Sequence, residues 1–372
     1  MKQANGHEII HLLEEFSPKA YAEEGDPIGL QLGKLNKPVS KVIIALDVTE
    51  EVVQEAIDAG SELIIAHHPP IFRPLKHLRT DLPQGALYEK IIKHDIAVYA
   101  AHTNLDVAKG GVNDLLANAL KLQDIKVMSP TYEKKLKKLA VYCPVPHEKA
   151  LLDALGQAGA GHIGNYSHCS FSSTGTGRFL PEAGTSPYIG TQGKLEAVEE
   201  VRIETVYPAD IEKKVLQAMF RSHPYEEVAF DIYPLENQGE ILGLGRVGKL
   251  ESEMSFTEFA DYVKKALDVE HVRIVGKPDA VIKKVAVLGG DGNKFIKAAK
   301  YSGADCFVTG DIYYHTAHDA LMMGLNMLDP GHNIEKVMKK GVADVLSRLV
   351  EEKGYKTEFI ASAIHTDPFT FL

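Results

Sequence analysis

An imperfect internal duplication limits the possible folds of this chain more than any other feature. The segment that begins at Lys41 aligns without a gap with the segment that begins at Lys284, 243 residues later, and His68 falls on Asp311. Each copy has an apolar run, a helix-like segment closed by glycine, and a second apolar run. Strand–helix–strand units with short loops predict parallel strands covered by helices, so we expect a duplicated α/β core.

The predicted elements occupy matching positions in the two copies. In the first copy they are a strand over 42–46, an N-cap at Thr49, a helix over 50–59 and a strand over 63–66. In the second copy they are a strand over 285–288, a helix over 293–301 and a strand over 306–309. Ligands of parallel sheets bind beyond the carboxyl ends of the strands, so polar residues at these ends are the candidate site.

Length and composition narrow the class of protein. A chain of 372 residues exceeds the usual size of one core, so we expect at least two domains. No apolar run reaches the roughly 20 residues of a membrane helix, and the first 25 residues resemble no secretory signal, so we expect a cytoplasmic protein. A net charge of -10 without a basic cluster argues against a nucleic-acid partner. The widely spaced Cys143, Cys169 and Cys306 predict small buried residues rather than disulfides or a thiolate zinc site.

Between residues 127 and 236 the hydrophobic periodicity changes. The predicted elements there are strands over 138–143, 200–206 and 227–233 and helices over 147–158 and 210–221. This order predicts a small ferredoxin-like α+β domain inserted into a core formed by residues 1–126 and 237–372. The segment 161–193 is rich in Gly, Ser, Thr and Tyr, which favours an extended loop or irregular hairpins. The alternative fold is a pair of independent Rossmann-like domains without a shared sheet.

Two adjacent histidines, His67 and His68, end an apolar strand and precede two prolines. Proline ends regular structure, so the two imidazoles can point in different directions within one pocket. This arrangement allows one imidazole for each of two metal ions. Taken alone, a pair of histidines at a strand end is more often a polar loop.

Two further pairs combine a histidine with a carboxylate. His102 and Asp106 are four residues apart and His332 and Glu335 are three apart, which places each pair on one face of a helical turn. Such pairs are typical of metal sites, although each alone is also explained by a helix cap with a surface ion pair. Together the imidazoles and carboxylates are too many for one tetrahedral ion, so they predict two close ions of zinc, iron(II) or manganese.

Other polar residues lie near these strand ends. Asp311 can orient a metal-binding histidine and His315 can transfer protons, but a helix N-cap and an ordinary loop histidine explain them equally well. The segment 289–292 contains three glycines and resembles a phosphate-binding turn, although it lacks a complete phosphate-loop motif.

Several separate motifs resemble one family. They are HHPPIF, AHTNLDVAKGGVND, GHIGNYSHCSF, HPYEE, TGDIYYH and DPGHNIEK. In this order and over essentially the whole chain, they are similar to the Nif-three-like proteins, which in bacteria are called GTP cyclohydrolase 1 type 2 homologues. The resemblance implies a duplicated α/β core with a dinuclear metal centre, a toroidal homohexamer and an insert similar to PII or CutA sandwiches.

The resemblance also implies a ligand set. The family's metal ligands fall on His67, His68, Asp106, His332 and Glu335. His102 lies within a matching motif and is expected to be an additional ligand or an acid–base group. Many members have the glutamate four residues after the histidine instead of three, and the segment 26–30 differs from the usual opening motif.

Two functions follow as expectations from this resemblance. The first is a metal-dependent hydrolase that opens the purine ring of GTP and releases formate, with His102 or His315 moving the proton. The second is a non-catalytic metal-binding regulator or scaffold, whose insert senses a small molecule or contacts another protein.

Overall fold

A computed structural model describes residues 2–371 of the chain, and strands and helices alternate through most of it. The strands are β1 Ala4–Asn5, β2 Gly29–Leu32, β3 Pro38–Val39, β4 Lys41–Ala45, β5 Leu63–Ala66, β6 Ala97–Ala100, β7 Gln123–Glu133, β8 Leu136–Pro144, β9 Ser170–Phe179, β10 Glu196–Pro208, β11 Phe230–Pro234, β12 Ile241–Ser255, β13 Arg273–Val275, β14 Val281–Asp291, β15 Cys306–Gly310, β16 Asn326–Asp329 and β17 Glu358–Ala361.

The α-helices connect and cover these strands. They are α1 Gly6–Phe16, α2 Glu50–Ala59, α3 Pro83–Lys93, α4 Thr103–Val107, α5 Val112–Ala119, α6 Glu148–Gln157, α7 Glu212–Ser222, α8 Phe256–Leu267, α9 Ile296–Tyr301, α10 Tyr314–Met322 and α11 Val337–Glu352. Short 3₁₀ turns cover Lys19–Tyr21, Val145–His147, Ala209–Ile211, Asn293–Phe295 and His332–Lys336. In the described chain, no helix combines the length and apolarity needed to cross a lipid bilayer.

The chain divides into two compact units. The core unit comprises the chain up to Tyr132 and from Leu242 onward, and the inserted unit comprises Glu133–Ile241. The predicted domain boundaries, after residues 126 and 236, stay a prediction.

The core unit contains two mixed sheets with matching centres. One has the order β17-β4-β5-β6-β2 and the other β13-β16-β15-β14-β12-β7. In the first sheet β4, β5 and β6 are parallel, and in the second β14, β15 and β16 are parallel. The duplicated α/β core predicted from the repeat is therefore confirmed.

One apolar core joins the two copies. Val42, Ile44 and Ile65 of the first sheet lie in the same buried cluster as Val285 and Val308 of the second. Helices α1, α5, α8 and α11 contribute to this cluster. The sheets are separate, but the alternative of two independent domains is wrong because the copies share this core.

The outer face of each sheet is covered by the helices of its own copy. Ile43 and Ile64 pack with α2 and α3, whereas Ala286 and Phe307 pack with α9 and α10. Residues that alternate along a strand point to opposite faces, so both faces of these parallel strands are buried. This explains why the strands are continuous apolar runs in the sequence.

The N-cap and the closing glycine predicted for the helix of the first copy are also present. The Thr49 side chain accepts a hydrogen bond from the Val52 amide, and Gly60 ends α2 with φ of 66°. In the second copy the predicted helix over 293–301 is a 3₁₀ turn, Asn293–Phe295, followed by α9.

The inserted unit has a four-stranded antiparallel sheet of order β11-β8-β10-β9. With α6 after β8 and α7 after β10, this order is the ferredoxin-like arrangement predicted from the sequence. Leu139, Leu151, Ile203 and Met219 are among its fully buried residues.

The glycine-rich segment 161–193 differs from its prediction. Instead of an extended loop or irregular hairpins throughout, it contains the regular ten-residue strand β9, which is paired along its length with β10. β9 is an edge strand with mostly exposed residues, so it lacks the apolar alternation that identifies a half-buried strand.

The cysteines are free, as predicted. Cys143 and Cys306 are buried, whereas Cys169 is only half-buried.

Candidate metal centre

The candidate metal residues of both copies meet beyond the carboxyl ends of the parallel strands. His67 and His68 directly follow β5, His102 follows β6 and precedes α4, and Asp106 lies within α4. His332 and Glu335 lie in the 3₁₀ turn that follows β16. Their ring nitrogens and carboxylate oxygens form three overlapping groups, and within each group these atoms lie within 4.8 Å of one another. The first group is His67, His68 and His102, the second is His68, His332 and Glu335, and the third is His67, Asp106 and Glu335.

Glu335 lies between two sets of donors. Its Oε2 atom is 3.0 Å from His68 Nε2 and 3.2 Å from His332 Nε2, and its Oε1 atom is 3.7 Å from His67 Nε2. Asp106 Oδ1 is also 3.7 Å from His67 Nε2. Tetrahedral donors at about 2.0–2.2 Å from an ion lie about 3.3–3.6 Å apart, which is close to these separations. The donors can therefore hold divalent cations.

Two buried atoms in this cluster lack a hydrogen-bond partner. Within residues 2–371, His67 Nε2 and Asp106 Oδ1 are both buried and unpaired. An unpaired buried polar atom costs roughly 1–3 kcal/mol, so such atoms are uncommon without a further partner. Both atoms face the same point, and a cation there would satisfy both at once.

Each imidazole is oriented by an oxygen on its far side. The Nδ1 atom of His68 donates to Asp47 at 2.6 Å, that of His332 to Asp311 at 2.6 Å and that of His102 to Asp26 at 2.8 Å. His67 Nδ1 donates to the Ala101 carbonyl oxygen at 2.9 Å. These bonds leave Nε2 of each ring as the atom able to bind a metal, which is the usual support of metal-binding histidines.

Electrostatics in the cluster favour positive charge. Burial opposes the charged His68 ring, but the hydrogen bonds to Asp47 and Glu335 outweigh it and raise the His68 pKa to about 10. The contact with Glu335 is the main cause that raises the His332 pKa to about 9. Burial raises the Asp106 pKa to about 6. Burial would also raise the Glu335 pKa, but the imidazoles around it lower that pKa well below its usual value.

Glycines leave room for the ligands of the second copy. A Cβ atom at Gly289 would lie 2.8 Å from Glu335 Oε1, and one at Gly290 would lie 2.9 Å from the same atom. Gly290 also has φ of +63°, a conformation that L-residues rarely adopt. These contacts explain why positions 289 and 290 are glycines.

A cleft of about 560 Å³ opens onto the cluster. His68, His102 and His332 line it, together with rings of Phe72 and Phe295 and the side chain of Lys294. Clefts of this size accommodate small organic ligands.

The structure separates the predicted site residues into two groups. His67, His68, His102, Asp106, His332 and Glu335 come together, and Asp311 contacts His332 as expected for an orienting carboxylate. His315 lies elsewhere: it is an exposed residue of α10, and its ring contacts Tyr314. It does not line the cleft, and its role in proton transfer stays a prediction.

Sequence analysis missed Asp47 and the orienting role of Asp26. Asp47 directly follows the predicted strand over 42–46, so its position at a strand end was an available signal. Asp26 comes from a loop 76 residues before His102, and no local pattern connects the two.

Similar proteins match this chain over nearly its whole length. The family model Duf34/NIF3 (NGG1p interacting factor 3) matches residues 4–368. A Bacillus subtilis (strain 168) protein named "GTP cyclohydrolase 1 type 2 homolog" is 60% identical over 371 residues, which cover 100% of both chains.

Solved structures give the same assignment. A Bacillus cereus protein described as related to NIF3 has a TM-score of 0.96 and 60% identity, with 100% of both chains covered. A Staphylococcus aureus protein has a TM-score of 0.77 and 33% identity, again over 100% of both chains. This chain therefore belongs to the Duf34/NIF3 family.

Proposed function

We propose that His67, His68, Asp106, His332 and Glu335 would hold two divalent cations and that Glu335 would contribute to both positions. The position of the Glu335 carboxylate carries this proposal, because one oxygen faces His68 and His332 and the other faces His67. His67 and Asp106 would hold one cation, and His68 and His332 would hold the other. The imidazole and carboxylate donors suit zinc, iron(II) or manganese.

We further propose that the protein is a metal-dependent hydrolase. When bound, a pair of divalent ions polarises a substrate and lowers the pKa of water to near neutrality. His102 lines the cleft and donates a hydrogen bond to Asp26, which supports our proposal that it transfers a proton. Burial alone would raise the Asp26 pKa, but hydrogen bonds from His102 and Thr103 lower it, so Asp26 stays charged and fixes the ring.

A nucleotide is the proposed substrate class. The rings of Phe72 and Phe295 offer apolar surface for a base, and the Lys294 ammonium group in the same cleft offers a positive charge for a phosphate. Phe72 is 60% exposed, so its ring is available to a ligand. Since curated relatives are named as homologues of GTP cyclohydrolase 1 type 2, GTP is the first candidate and ring opening with formate release is the first reaction to test.

The test uses the full chain loaded in turn with zinc, iron(II) or manganese. Each form is incubated with a panel of nucleotides, and formate and phosphate are measured. The hydrolase proposal expects product with wild-type protein and with Glu351→Gln, a change at an exposed position of α11, but none with Glu335→Gln.

The outcomes separate two functions. Metal binding without formate or phosphate from any nucleotide would favour the alternative of a non-catalytic metal-binding regulator or scaffold. Product formation by the metal-stripped protein or by Glu335→Gln would contradict the metal-dependent mechanism.

A further inference from the structure

The inserted unit contains a cavity of its own, of about 430 Å³. Its walls include the rings of Tyr142, Phe179, Tyr188 and Tyr225. The Tyr225 ring centroid lies 5.9 Å from that of Phe179 and 6.3 Å from that of Tyr188, so the rings form a continuous aromatic lining. The volume is large enough for a small organic molecule.

A buried carboxylate lines the same cavity. Glu200, on β10, is only 8% exposed, and its Oε1 atom accepts a hydrogen bond of 2.9 Å from the Tyr225 hydroxyl group. Its Oε2 atom occupies the space above Gly177, where a Cβ atom would lie only 2.0 Å away. Gly177, on the neighbouring strand β9, thus leaves room for a charged group.

The surroundings of Glu200 do not neutralise its charge. Arg202 lies two residues along the same strand face, but it pairs with Glu204 at 2.7 Å. His223 contacts Tyr225, and burial lowers the His223 pKa. Its Nε2 atom donates to the Tyr142 carbonyl oxygen and its Nδ1 atom accepts from the Tyr225 amide, which is the bonding of a neutral ring. A buried carboxylate whose partner is a neutral phenol is costly unless a cation joins it.

The charged groups at the cavity also favour a cation. Glu226 and Glu227 line it with Glu200, against the single guanidinium group of Arg178. Three carboxylates and one positive group give a negative potential that repels phosphates. Glu226 Oε1 accepts from the Ser186 amide at 2.9 Å and so holds the loop beside the cavity in place.

We propose that this cavity binds a small organic cation of the alkylammonium class, with Glu200 as the counter-charge and the aromatic rings as its walls. Aromatic faces attract such cations through their quadrupole, and a desolvated carboxylate adds charge pairing. This proposal depends neither on the metal centre nor on any hydrolase activity. It assigns an alkylammonium ligand to the inserted unit.

The test titrates the full chain with choline by isothermal calorimetry. A parallel titration uses 3,3-dimethylbutan-1-ol, which has the shape of choline with carbon in place of the charged nitrogen. We expect choline to bind and the neutral alcohol to bind about tenfold or more weakly. In a saturation-transfer NMR experiment, saturation of the protein's aromatic protons should pass to the choline N-methyl groups, because the rings form the walls of the site.

Variants locate the binding. Glu200→Gln should weaken choline binding about tenfold or more, whereas Glu199→Gln, an equal charge change at the adjacent exposed position, should leave it unchanged. Tyr188→Leu removes a ring that is 55% exposed, so it tests the wall even where Glu200→Gln fails to fold. The proposal is overturned by absence of choline binding up to about 10 mM, by equal binding of the neutral alcohol, or by unchanged binding in Tyr188→Leu.

Discussion

The two copies of the duplicated core have the same order of three central parallel strands but supply different chemistry. Beyond β5 and β6, the first copy supplies three imidazoles and the carboxylate of Asp106. Beyond β16, the second supplies His332 and Glu335. Where the first copy has His68, the second has Asp311, which orients His332. A repeated scaffold therefore fixes where side chains meet, whereas substitution in each copy decides which of them bind and which orient.

The largest expected effect on metal binding comes from a change at Glu335, which tests whether the second copy supplies the shared ligand. Glu335→Gln keeps the size of the side chain but removes the charge that faces both sets of imidazoles. We expect both ions to be lost, with affinity reduced about 100-fold or more. Metal analysis after dialysis measures this, with Glu351→Gln as the matched control. Retention of both ions would show that Glu335 is not shared.

A smaller effect is expected from the carboxylate of the first copy. Asp106 Oδ1 contacts His67, but Asp106 does not belong to the group that contains His332. Asp106→Asn should therefore remove the ion next to His67 and leave the one held by His68 and His332, so metal content should fall by about half. Asp319→Asn, at an exposed position of α10, is the control. Loss of both ions would mean that the two positions are not separable.

The sequence was sufficient to predict the duplicated strands of each copy and the helix α2 of the first copy. Continuous apolar runs such as the segment 63–66 are typical of strands buried on both faces, and the predicted bounds of this strand equal those of β5. The histidines at its end were identified for the same reason, because their position follows directly from the end of the strand.

The meeting of the two copies could not be derived from local patterns. His68 and Glu335 are 267 residues apart, and their contact depends on α5 and α11 packing within the core that the sheets share. The duplication, which puts a histidine and a carboxylate at strand ends of both copies, suggested a shared site, and the family resemblance supported it. The edge strand β9 was missed for a different reason, since an exposed strand shows no apolar alternation.

The orienting carboxylates allow a direct comparison of the copies. Asp47 and Asp311 each accept a hydrogen bond of 2.6 Å from Nδ1 of a metal-site histidine. Asp47→Asn and Asp311→Asn should each weaken metal affinity about 10- to 100-fold without abolishing it. Asp47 is also bonded to Thr366, so its amide variant should have the smaller effect on ring position. Titration of metal-stripped protein with zinc measures both, and unchanged affinity would remove the orienting role.

The pH dependence of metal affinity compares the histidine pKa values of the two copies. The pKa of His68 in the first copy is raised to about 10 and that of His332 in the second to about 9, so both rings carry a proton at pH 7 without metal. A metal ion needs the neutral ring, so binding releases these protons and affinity falls as pH falls. For the position held by these two rings, each unit below about pH 9 should weaken binding about 100-fold, one factor of ten per proton.

The stability of the metal-stripped protein should change with the opposite sign. A histidine whose folded pKa lies above its unfolded value near 6.5 stabilises the fold most below that value, and the contribution disappears as pH rises through the folded pKa. Thermal unfolding of stripped protein should therefore occur at lower temperature at pH 9.5 than at pH 7, whereas zinc should stabilise it more at the higher pH. Replacing His332 by Gln should make this loss smaller, because only His68 then contributes and its stabilisation disappears between about pH 6.5 and its folded pKa of about 10.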